Sequence, residues 1–333
     1  MKKKIVFLTD ADEKIGLGHL NRCNLLAEEF FKKNFDCYIF GVKKFFINNS
    51  FFRKKIEYSP ILLKSIDLDF VKRILGTNNF FLIIDSFRVN EPIQKQLFKK
   101  KIKWLQFDNF QKNTKIYADV VVNANPLIKK KDYNKRRLKN KKQTFLTGKN
   151  FLLMRNEFKK NYKLKKKFIL VCSGGSRLDK NYVISILRIV LKIFKHQKII
   201  VILDNNDVRR KKILKLNTNS NKIMIIKKTT KISKYFAQSK VVFLSGGTIL
   251  IESLFYNLNR FACSIASNQI HNCLSWEKLK FVNYLGDLSK KKLKKEFIIK
   301  KIQDNQNKYK NKTLNKKLIN GKKLIYKNIV RLF

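Results

Sequence analysis

Short, continuous apolar runs recur along the chain and alternate with segments of helical spacing, and this alternation most constrains the fold. In the first half the runs are KIVFLT, CYIFGV, FFLIID, IKWLQF and DVVVNAN. After the first run, one face of a predicted helix collects Leu20, Cys23, Ala27, Phe30 and Phe31. Strands that are apolar on both faces and alternate with helices predict a parallel sheet covered on both sides.

The pattern stops and then restarts. A polar stretch from KKKDYNKRRLKNKKQ to KNYKLKKK is interpreted as the end of the first half and a linker. The runs FILVCSGG, KIIVILD, KIMIIKK, KVVFLSGG and RFACSI follow. We therefore predict an α/β, GT-B-like fold of two Rossmann-like doubly wound domains that face a cleft, over residues 1–160 and 161–333. Helical spacing near the end predicts helices that close the second domain, through Leu318, Ile325, Ile329 and Val330.

The net charge of +53 at first suggests nucleic acid or an anionic membrane as a partner. However, 63 of the basic residues are Lys and only 13 are Arg, while Ala and Pro are scarce. This composition is typical of drift in an AT-rich genome, and the basic runs are scattered over the whole length. Nucleic-acid readers favour Arg forks and exposed aromatic rings. We expect no nucleic-acid partner, although a positive field would attract a polyanionic small substrate.

The apolar runs and the cysteines indicate the compartment in which the protein works and whether it holds a metal. The start, MKKKIVFLTDAD, has too short an apolar core for a signal peptide, and no run approaches the roughly 18 apolar residues of a membrane span. The cysteines show no CxxC spacing and most lie within or beside apolar runs, as buried thiols do; they are Cys23, Cys37, Cys172, Cys263 and Cys273. We expect a cytoplasmic monomer without stable membrane insertion, a metal site or a cofactor.

Glycine clusters follow three predicted strands. They are IGLGH with Gly16, Gly18 and His19, then CSGGS with Gly174, and SGGT at 245–248. Glycines let the backbone approach a ligand closely, and a helix start offers N–H groups that suit a diphosphate. None is a GxGxxG or P-loop motif, so NAD and P-loop nucleotides are unsupported. One such turn is more often structural, but three at equivalent strand ends predict a nucleotide cleft between the domains.

The stretch DADEKIGLGHLNRCNLLAEEF resembles the opening motif of the UDP-2,4-diacetamido-2,4,6-trideoxy-β-L-altropyranose hydrolases of pseudaminic acid biosynthesis, with their spore-coat polysaccharide relatives. The likeness continues in order through LIIDSF, QFDNF, ADVVVNANP, GKNFLLMRNEF, ILVCSGGS and LSGGTILIESLFYNLNRFACSIASNQ. That family is similar to the GT-B glycosyltransferase that adds N-acetylglucosamine to lipid-linked muramyl peptide. The resemblance implies hydrolysis of a UDP-linked amino-deoxy sugar to UDP and the free, inverted sugar, as a step in nonulosonic (pseudaminic) acid biosynthesis.

The resemblance also implies roles for individual residues. His19 falls on the catalytic histidine, Glu252 on the acidic residue that holds the ribose hydroxyls, and Asn268 and Gln269 on a pair that faces the sugar. The diphosphate-binding turn falls on Ser245, Gly246, Gly247 and Thr248. The chain departs from the family at the Ser86–Phe87 pair, at Asn109 and at Arg177, which puts the sugar's identity in doubt.

These residues suit a UDP-sugar hydrolysis on chemical grounds as well, independently of the resemblance. UDP is a good leaving group, so its departure needs charge stabilisation more than a proton, and a helix N-terminus supplies that without a metal. A neutral imidazole suits the deprotonation of water near pH 7, and the helix dipole disfavours the imidazolium at His19. Asp10 or Asp12 is expected to orient the ring, and the residues leave that choice open. Asp85, after a fully apolar strand, is expected to face the substrate.

Two other functions remain open. A glycosyltransferase would use the same UDP site with a carbohydrate or lipid-linked acceptor, and KKFFINNSFFRKK at 43–55 is a candidate membrane-facing patch. A nucleic-acid-binding protein would show a steep salt dependence, but no motif supports it. The hydrolase is favoured because the likeness includes the histidine loop. Structural or solvated roles are expected for Arg155, Glu157, His196 and His271.

Overall fold

The computed structural model describes residues 2–11, 17–42, 57–59, 76, 79–86, 88–108, 114–160, 162–174, 182–218, 221–229, 231–288, 295–306 and 312–333. The chain divides into two compact units, one of Met1–Met154 with Lys317–Phe333 and one of Arg155–Lys316. Among the described residues, no helix combines the length and the apolar character that crossing a membrane requires.

The first unit is built on a parallel sheet in the order β3-β2-β1-β4-β5-β6-β7. Apolar side chains on both faces make its central strands fully buried, as the continuous runs predict. Neighbours β1 and β4 run in register, with Thr9 beside Asp85. The strands are β1 (Lys4–Ala11), β2 (Asp36–Val42), β3 (Glu57–Ser59), β4 (Phe80–Asp85), β5 (Trp104–Phe107), β6 (Val120–Asn123) and β7 (Thr144–Thr147).

The second unit repeats the plan with a parallel sheet in the order β10-β9-β8-β11-β12-β13. Its core lies between this sheet and helices that bury one apolar face each. The strands are β8 (Phe168–Cys172), β9 (Lys198–Leu203), β10 (Lys222–Lys227), β11 (Ser239–Ser245), β12 (Asn259–Ser264) and β13 (Asn283–Asp287). Two doubly wound parallel sheets confirm the predicted α/β class.

The described helices follow the strands along the chain. They are α1 (Gly18–Phe31), α2 (Glu91–Lys99), α3 (Tyr182–Ile193), α4 (Arg209–Leu214), α5 (Ile232–Gln238), α6 (Thr248–Ser253), α7 (Ser267–Lys278), α8 (Lys295–Gln306) and α9 (Gly321–Val330). In α1 the predicted face is buried, except that Phe31 at its edge is 37% exposed.

The chain's last helix differs from its predicted place. Residues 317–333 were expected to close the second domain, but α9 packs on α1 in the first unit. Ile325 and Ile329 join the core cluster of that unit, because they cover apolar side chains that α1 leaves open. Gly321 permits the approach, since a Cβ there would lie 2.3 Å from the main-chain oxygen of Leu152. Leu318 is 65% exposed, so its helical spacing did not indicate burial.

The segment interpreted as a linker also differs from the prediction. It supplies β7 to the first sheet and a 3₁₀ turn at Lys130–Tyr133. Tyr133 is fully buried against Phe145 of β7, with ring centroids 4.8 Å apart. The chain passes into the second unit at Arg155, a few residues before the predicted boundary.

Candidate functional site

Each sheet has one point at which the order of its strands reverses, between β1 and β4 in the first and between β8 and β11 in the second. In doubly wound sheets, ligands bind beyond the carboxyl ends of the strands at such a switch point. His19 follows β1 and Asp85 ends β4, while Gly174 follows β8 and Ser245 ends β11. The residues singled out from the sequence therefore flank the switch point of each sheet.

His19 is the second residue of α1 and is 6% exposed. Its Nδ1 lies 2.7 Å from Oδ1 of Asp85 and 3.0 Å from the main-chain oxygen of the same residue. Both partners are acceptors, so in the neutral ring Nδ1 is the nitrogen that holds the proton. The lone pair then resides on Nε2, which is the arrangement a general base requires.

Asp85 is 1% exposed and its carboxylate is also held by a guanidinium fork. Arg22 donates from Nε to Oδ2 at 2.7 Å and from its terminal nitrogen to Oδ1 at 2.8 Å. Burial alone would raise the pKa of Asp85, but Arg22 and His19 outweigh it and hold that pKa well below its usual range. The Arg22 guanidinium lies 5.5 Å from the ring centroid of Phe107. Asp85, expected to face the substrate, binds two side chains of α1 in the described structure.

Asp10 lies at the end of β1 and contacts the segment that follows β4. Its carboxylate accepts a hydrogen bond from Oγ of Ser86 at 2.7 Å and lies 3.4 Å from Nε of Arg88. The sequence left the partner of the ring open between Asp10 and Asp12, and the structure adds Asp85 as a residue that contacts Nδ1. Asp12 lies outside the part of the chain that the structure describes. So do Gly16, Phe87, Asn109, Arg177 and residues 43–55.

A second polar network lies at the ends of β5 and β6. Arg136 binds both oxygens of Asp108, at 2.9 and 3.0 Å. Tyr133 donates to the same carboxylate at 2.8 Å and accepts from Nδ2 of Asn123 at 3.0 Å. Sequence reasoning missed Arg136 and Tyr133 because they lie in the lysine-rich stretch interpreted as a linker. The network anchors the carboxyl edge of the first sheet.

The glycine turn after β11 is held by its neighbours. Ser245 donates from Oγ to the main-chain oxygen of Ser173 at 2.7 Å. A Cβ on Gly246 would lie 2.3 Å from Sγ of Cys273, so only glycine fits there. Asn272 donates to the main-chain oxygen of Gly246 at 2.7 Å. The turn is thus packed tightly against α7, with Gly246 needed for packing whatever it binds.

Two residues of α7 were expected to face the sugar. Asn268 is exposed, and Gln269 is half-buried. Oε1 of Gln269 accepts from the amide of Ile265 at 3.1 Å, which leaves Nε2 as the donor end. That nitrogen lies 3.4 Å from where a Cβ on Gly247 would stand. Thr248 begins the short helix α6 at the same turn, and Gly174, with φ of +83°, lies close to Ser245. The donor end of Gln269 therefore lies beside the glycine turn.

Glu252 is buried rather than solvent-facing. Arg155 donates to its two oxygens at 2.7 and 2.8 Å and also lies 2.9 Å from Oε1 of Glu157. Burial raises the pKa of Glu252, against the opposing charge of Arg155. Arg155 and Glu157 thus form an ion pair that is half-buried beside Glu252.

The other two histidines are exposed. His196 lies in a turn, as expected, with φ of +58°. His271 lies on α7 and not on a loop, because that helix continues past the predicted sugar-facing pair. Among the described residues, no three His, Cys, Asp or Glu side chains group as metal ligands would.

The architecture is that of the GT-B enzymes, as comparison with solved structures shows. UDP-GlcNAc 2-epimerase from Neisseria meningitidis, bound to UDP-GlcNAc, superposes with a TM-score of 0.67 at 12% identity, over 98% of this chain and 100% of that one. MurG of Acinetobacter baumannii gives a TM-score of 0.58 at 12% identity, over 99% of both chains. The GT-B-like fold predicted from the sequence is confirmed.

The chain resembles a particular hydrolase in sequence. It is 25% identical to the UDP-2,4-diacetamido-2,4,6-trideoxy-β-L-altropyranose hydrolase of Campylobacter jejuni over 80% of this chain and 93% of that protein. It is also 28% identical to an uncharacterised protein of Methanocaldococcus jannaschii, over 77% of this chain but only 54% of that protein. No family model matches the chain. The resemblance inferred from the motifs is confirmed, and together these similarities support a UDP-sugar-processing function.

Proposed function

We propose that this protein hydrolyses a UDP-linked amino-deoxy sugar, of the 2,4-diacetamido-2,4,6-trideoxy-β-L-altropyranose type, to UDP and the free sugar in nonulosonic (pseudaminic) acid biosynthesis. The contact between His19 and Asp85 is the observation on which the proposal rests, since it prepares a buried imidazole as a general base at a switch point. The hydrolase from C. jejuni supports the substrate class, because the match spans nearly all of that protein.

In the proposed reaction, Nε2 of His19 takes a proton from water as the water oxygen bonds to the anomeric carbon. The bond from that carbon to the UDP oxygen breaks on the opposite face, and its electrons leave with UDP, so the configuration inverts. The proton on His19 is then released to solvent. The ionised Asp85 stabilises the imidazolium that forms, and base catalysis of this kind contributes about 10²- to 10⁴-fold in rate.

The second unit is proposed to hold the nucleotide. The diphosphate is assigned to the turn of Ser245, Gly246, Gly247 and Thr248, where the donor end of Gln269 lies close by. Asn268 is exposed and remains the candidate contact to the sugar. Each oxygen of Glu252 has a second lone pair, so it can bind Arg155 and still accept a ribose hydroxyl. Gly16, Gly18 and Gly174 remain proposed as sites of close approach to the substrate.

The test is phosphorus and proton NMR of the protein with the UDP-sugar, without acceptor or added metal. Wild type is expected to release UDP and inverted free sugar, and a His19→Asn variant almost none. A His196→Asn variant is the matched control, because that histidine is exposed in a turn of the other unit. Binding of UDP-sugar without release of sugar would contradict the hydrolase.

A glycosyltransferase is the second candidate, and the likeness to MurG favours it. It would use the same UDP site but transfer the sugar to a hydroxyl of a carbohydrate or lipid-linked acceptor. Sugar release that depends strictly on an added acceptor would establish the transferase in place of the hydrolase.

A further inference from the structure

We infer that Arg22 is a positioning residue for His19, acting through Asp85. Arg22 is three residues after His19 on α1, so both side chains project from one face of one rigid helix toward the end of β4. The inference rests on the proposed role of His19 as the base and adds to it the group that holds the carboxylate of Asp85 against Nδ1.

The geometry leaves the carboxylate of Asp85 one orientation. The Arg22 fork binds both oxygens, at 2.7 and 2.8 Å, while Nδ1 of His19 lies 2.7 Å from Oδ1. Rotation of the carboxylate about its Cβ–Cγ bond would break both bonds to the fork. A planar bidentate guanidinium therefore fixes which oxygen meets Nδ1, and a point charge such as lysine would not.

The ring of Phe107 supports the guanidinium. It lies 5.5 Å from the Arg22 carbon centre, and the Arg22 side chain is only 27% exposed. A cation held over an aromatic ring and bound by two hydrogen bonds has little rotational freedom. The positioning chain thus runs from Phe107 through Arg22 and Asp85 to His19.

The charges also require Arg22. A buried carboxylate beside a histidine favours the imidazolium, which is useless as a base. Arg22 neutralises Asp85, so the carboxylate orients the ring without requiring that the ring be charged. The other charged groups described at this edge form pairs of their own, Asp10 with Arg88 and Asp108 with Arg136.

The test reads the His19 ring directly, with ¹⁵N-histidine-labelled protein and long-range proton–nitrogen spectra near neutral pH. No substrate is added, and a His19→Asn variant assigns the signal. Wild type is expected to show one neutral tautomer, protonated at Nδ1. Arg22→Met should shift His19 toward the imidazolium. Arg22→Lys should keep the ring neutral and only weaken its preference for the Nδ1-protonated tautomer, because the main-chain oxygen of Asp85 still accepts from Nδ1.

Arg209→Met is the matched control, because Arg209 makes the same two-pronged contact with Asp207 in the other unit. Its His19 spectrum should match that of wild type. If Arg22→Met unfolds the protein by leaving Asp85 unpaired, the double variant Arg22→Met with Asp85→Asn removes that charge, and mixed tautomers are expected there. A folded Arg22→Met or double variant whose His19 keeps the single neutral tautomer of wild type, with Nε2 unprotonated, would overturn the inference.

Kinetics provide a second readout. Arg22→Met should lower kcat by about 10- to 100-fold with little change in KM, as loss of an outer-shell partner does. An unchanged tautomer overturns the positioning role even if the protein hydrolyses its substrate. Absence of hydrolysis by wild type with the tautomer intact would instead overturn the proposed function and leave the positioning role supported.

Discussion

Oδ1 of Asp85 lies 2.7 Å from Nδ1 of His19, although 66 residues separate the two in sequence. The contact joins the first turn of a helix to the last residue of a strand, across the switch point of the first sheet. Both oxygens of Asp85 that face Nδ1 are acceptors, so the neutral ring carries its proton on Nδ1. Nε2 is then the nitrogen that can accept a proton from water.

Asp85→Asn should abolish most of the catalysis that depends on His19. The amide keeps the shape of the side chain but can present an N–H to Nδ1, which favours the wrong tautomer. We expect kcat to fall by about 10²- to 10⁴-fold while KM changes little. Steady-state release of UDP measures both constants.

Asp207→Asn is the control for that experiment, because Asp207 pairs with an arginine in the other unit. It should leave kcat close to that of wild type. Activity of Asp85→Asn within a few-fold of wild type would contradict the role of Asp85.

Much of the fold follows from local pattern, but the partner of His19 does not. The apolar runs KIVFLT and FFLIID predict β1 and β4, and the glycines mark their carboxyl ends. Tertiary packing decides that β1 and β4 are adjacent in the sheet. The sequence therefore offered no reason to pair His19 with Asp85 rather than with the nearer Asp10 or Asp12. Arg22 carries no periodic signal, since it is a polar residue on a mostly apolar helix.

The buried residues of the lysine-rich stretch before the second unit could not be predicted from the sequence, for a different reason. Tyr133 and Arg136 are buried there as single side chains between exposed lysines. Strands and helices are predicted from apolar residues that recur every two or every three to four positions. Single buried side chains produce no such periodic pattern. The sequence also could not predict which unit α9 packs against, because an amphipathic pattern identifies the buried face of a helix but not its packing partner.

Acid should weaken the folded protein partly through Asp85. Its pKa is held well below the ordinary value of about 3.9, so the ionised form stabilises the fold above that pH. The contribution is lost as pH falls through the unfolded-state value toward the folded one. Wild type should therefore exceed Asp85→Asn in stability at about pH 6, and the gap should shrink by about 1 kcal/mol at about pH 3.

Urea unfolding at several pH values measures that gap, with Asp207→Asn as a control for general effects of charge. If the difference in free energy of unfolding between wild type and Asp85→Asn stays constant or widens as the pH falls, the contact with Arg22 does not lower the pKa of Asp85.

Gly246→Ala should destabilise the second unit by about 1–3 kcal/mol, because the new Cβ would lie 2.3 Å from Sγ of Cys273. Adding Cys273→Ala removes that sulfur and should recover most of the loss. Gly247→Ala is the matched control: its nearest neighbour is the mobile Nε2 of Gln269 at 3.4 Å, so stability should change by no more than about 0.5 kcal/mol. The midpoints of urea unfolding measure the stability of each variant. Equal stability of Gly246→Ala and Gly247→Ala would refute the steric argument.

Arg155→Met should be strongly destabilising, since it leaves the buried Glu252 without the fork that binds both its oxygens. We expect a loss of about 3–5 kcal/mol, typical of one partner removed from a buried pair. Arg155→Met with Glu252→Met should lose less, because neither charge of that pair remains, whereas the loss of the Arg155–Glu157 contact is common to both variants. A double-mutant cycle in urea measures the coupling, and simple additivity of the single effects would be evidence against a coupled pair.

The five cysteines should be silent toward thiol reagents until the protein unfolds. All five are buried and unpaired by disulfides. Burial raises the pKa of Cys37 to about 12, with the nearby Asp36 adding to the effect, and also raises those of Cys23 and Cys263. Because the thiolate is the reactive form, near pH 8 these thiols are both protonated and shielded.

A chromogenic disulfide reagent should therefore detect almost none of them in the native protein and all five in guanidinium. A Val208→Cys variant, at a position 92% exposed, should react at once and serves as the positive control. Prompt reaction of a native cysteine would mean that one of the two cores opens far more readily than its packing implies.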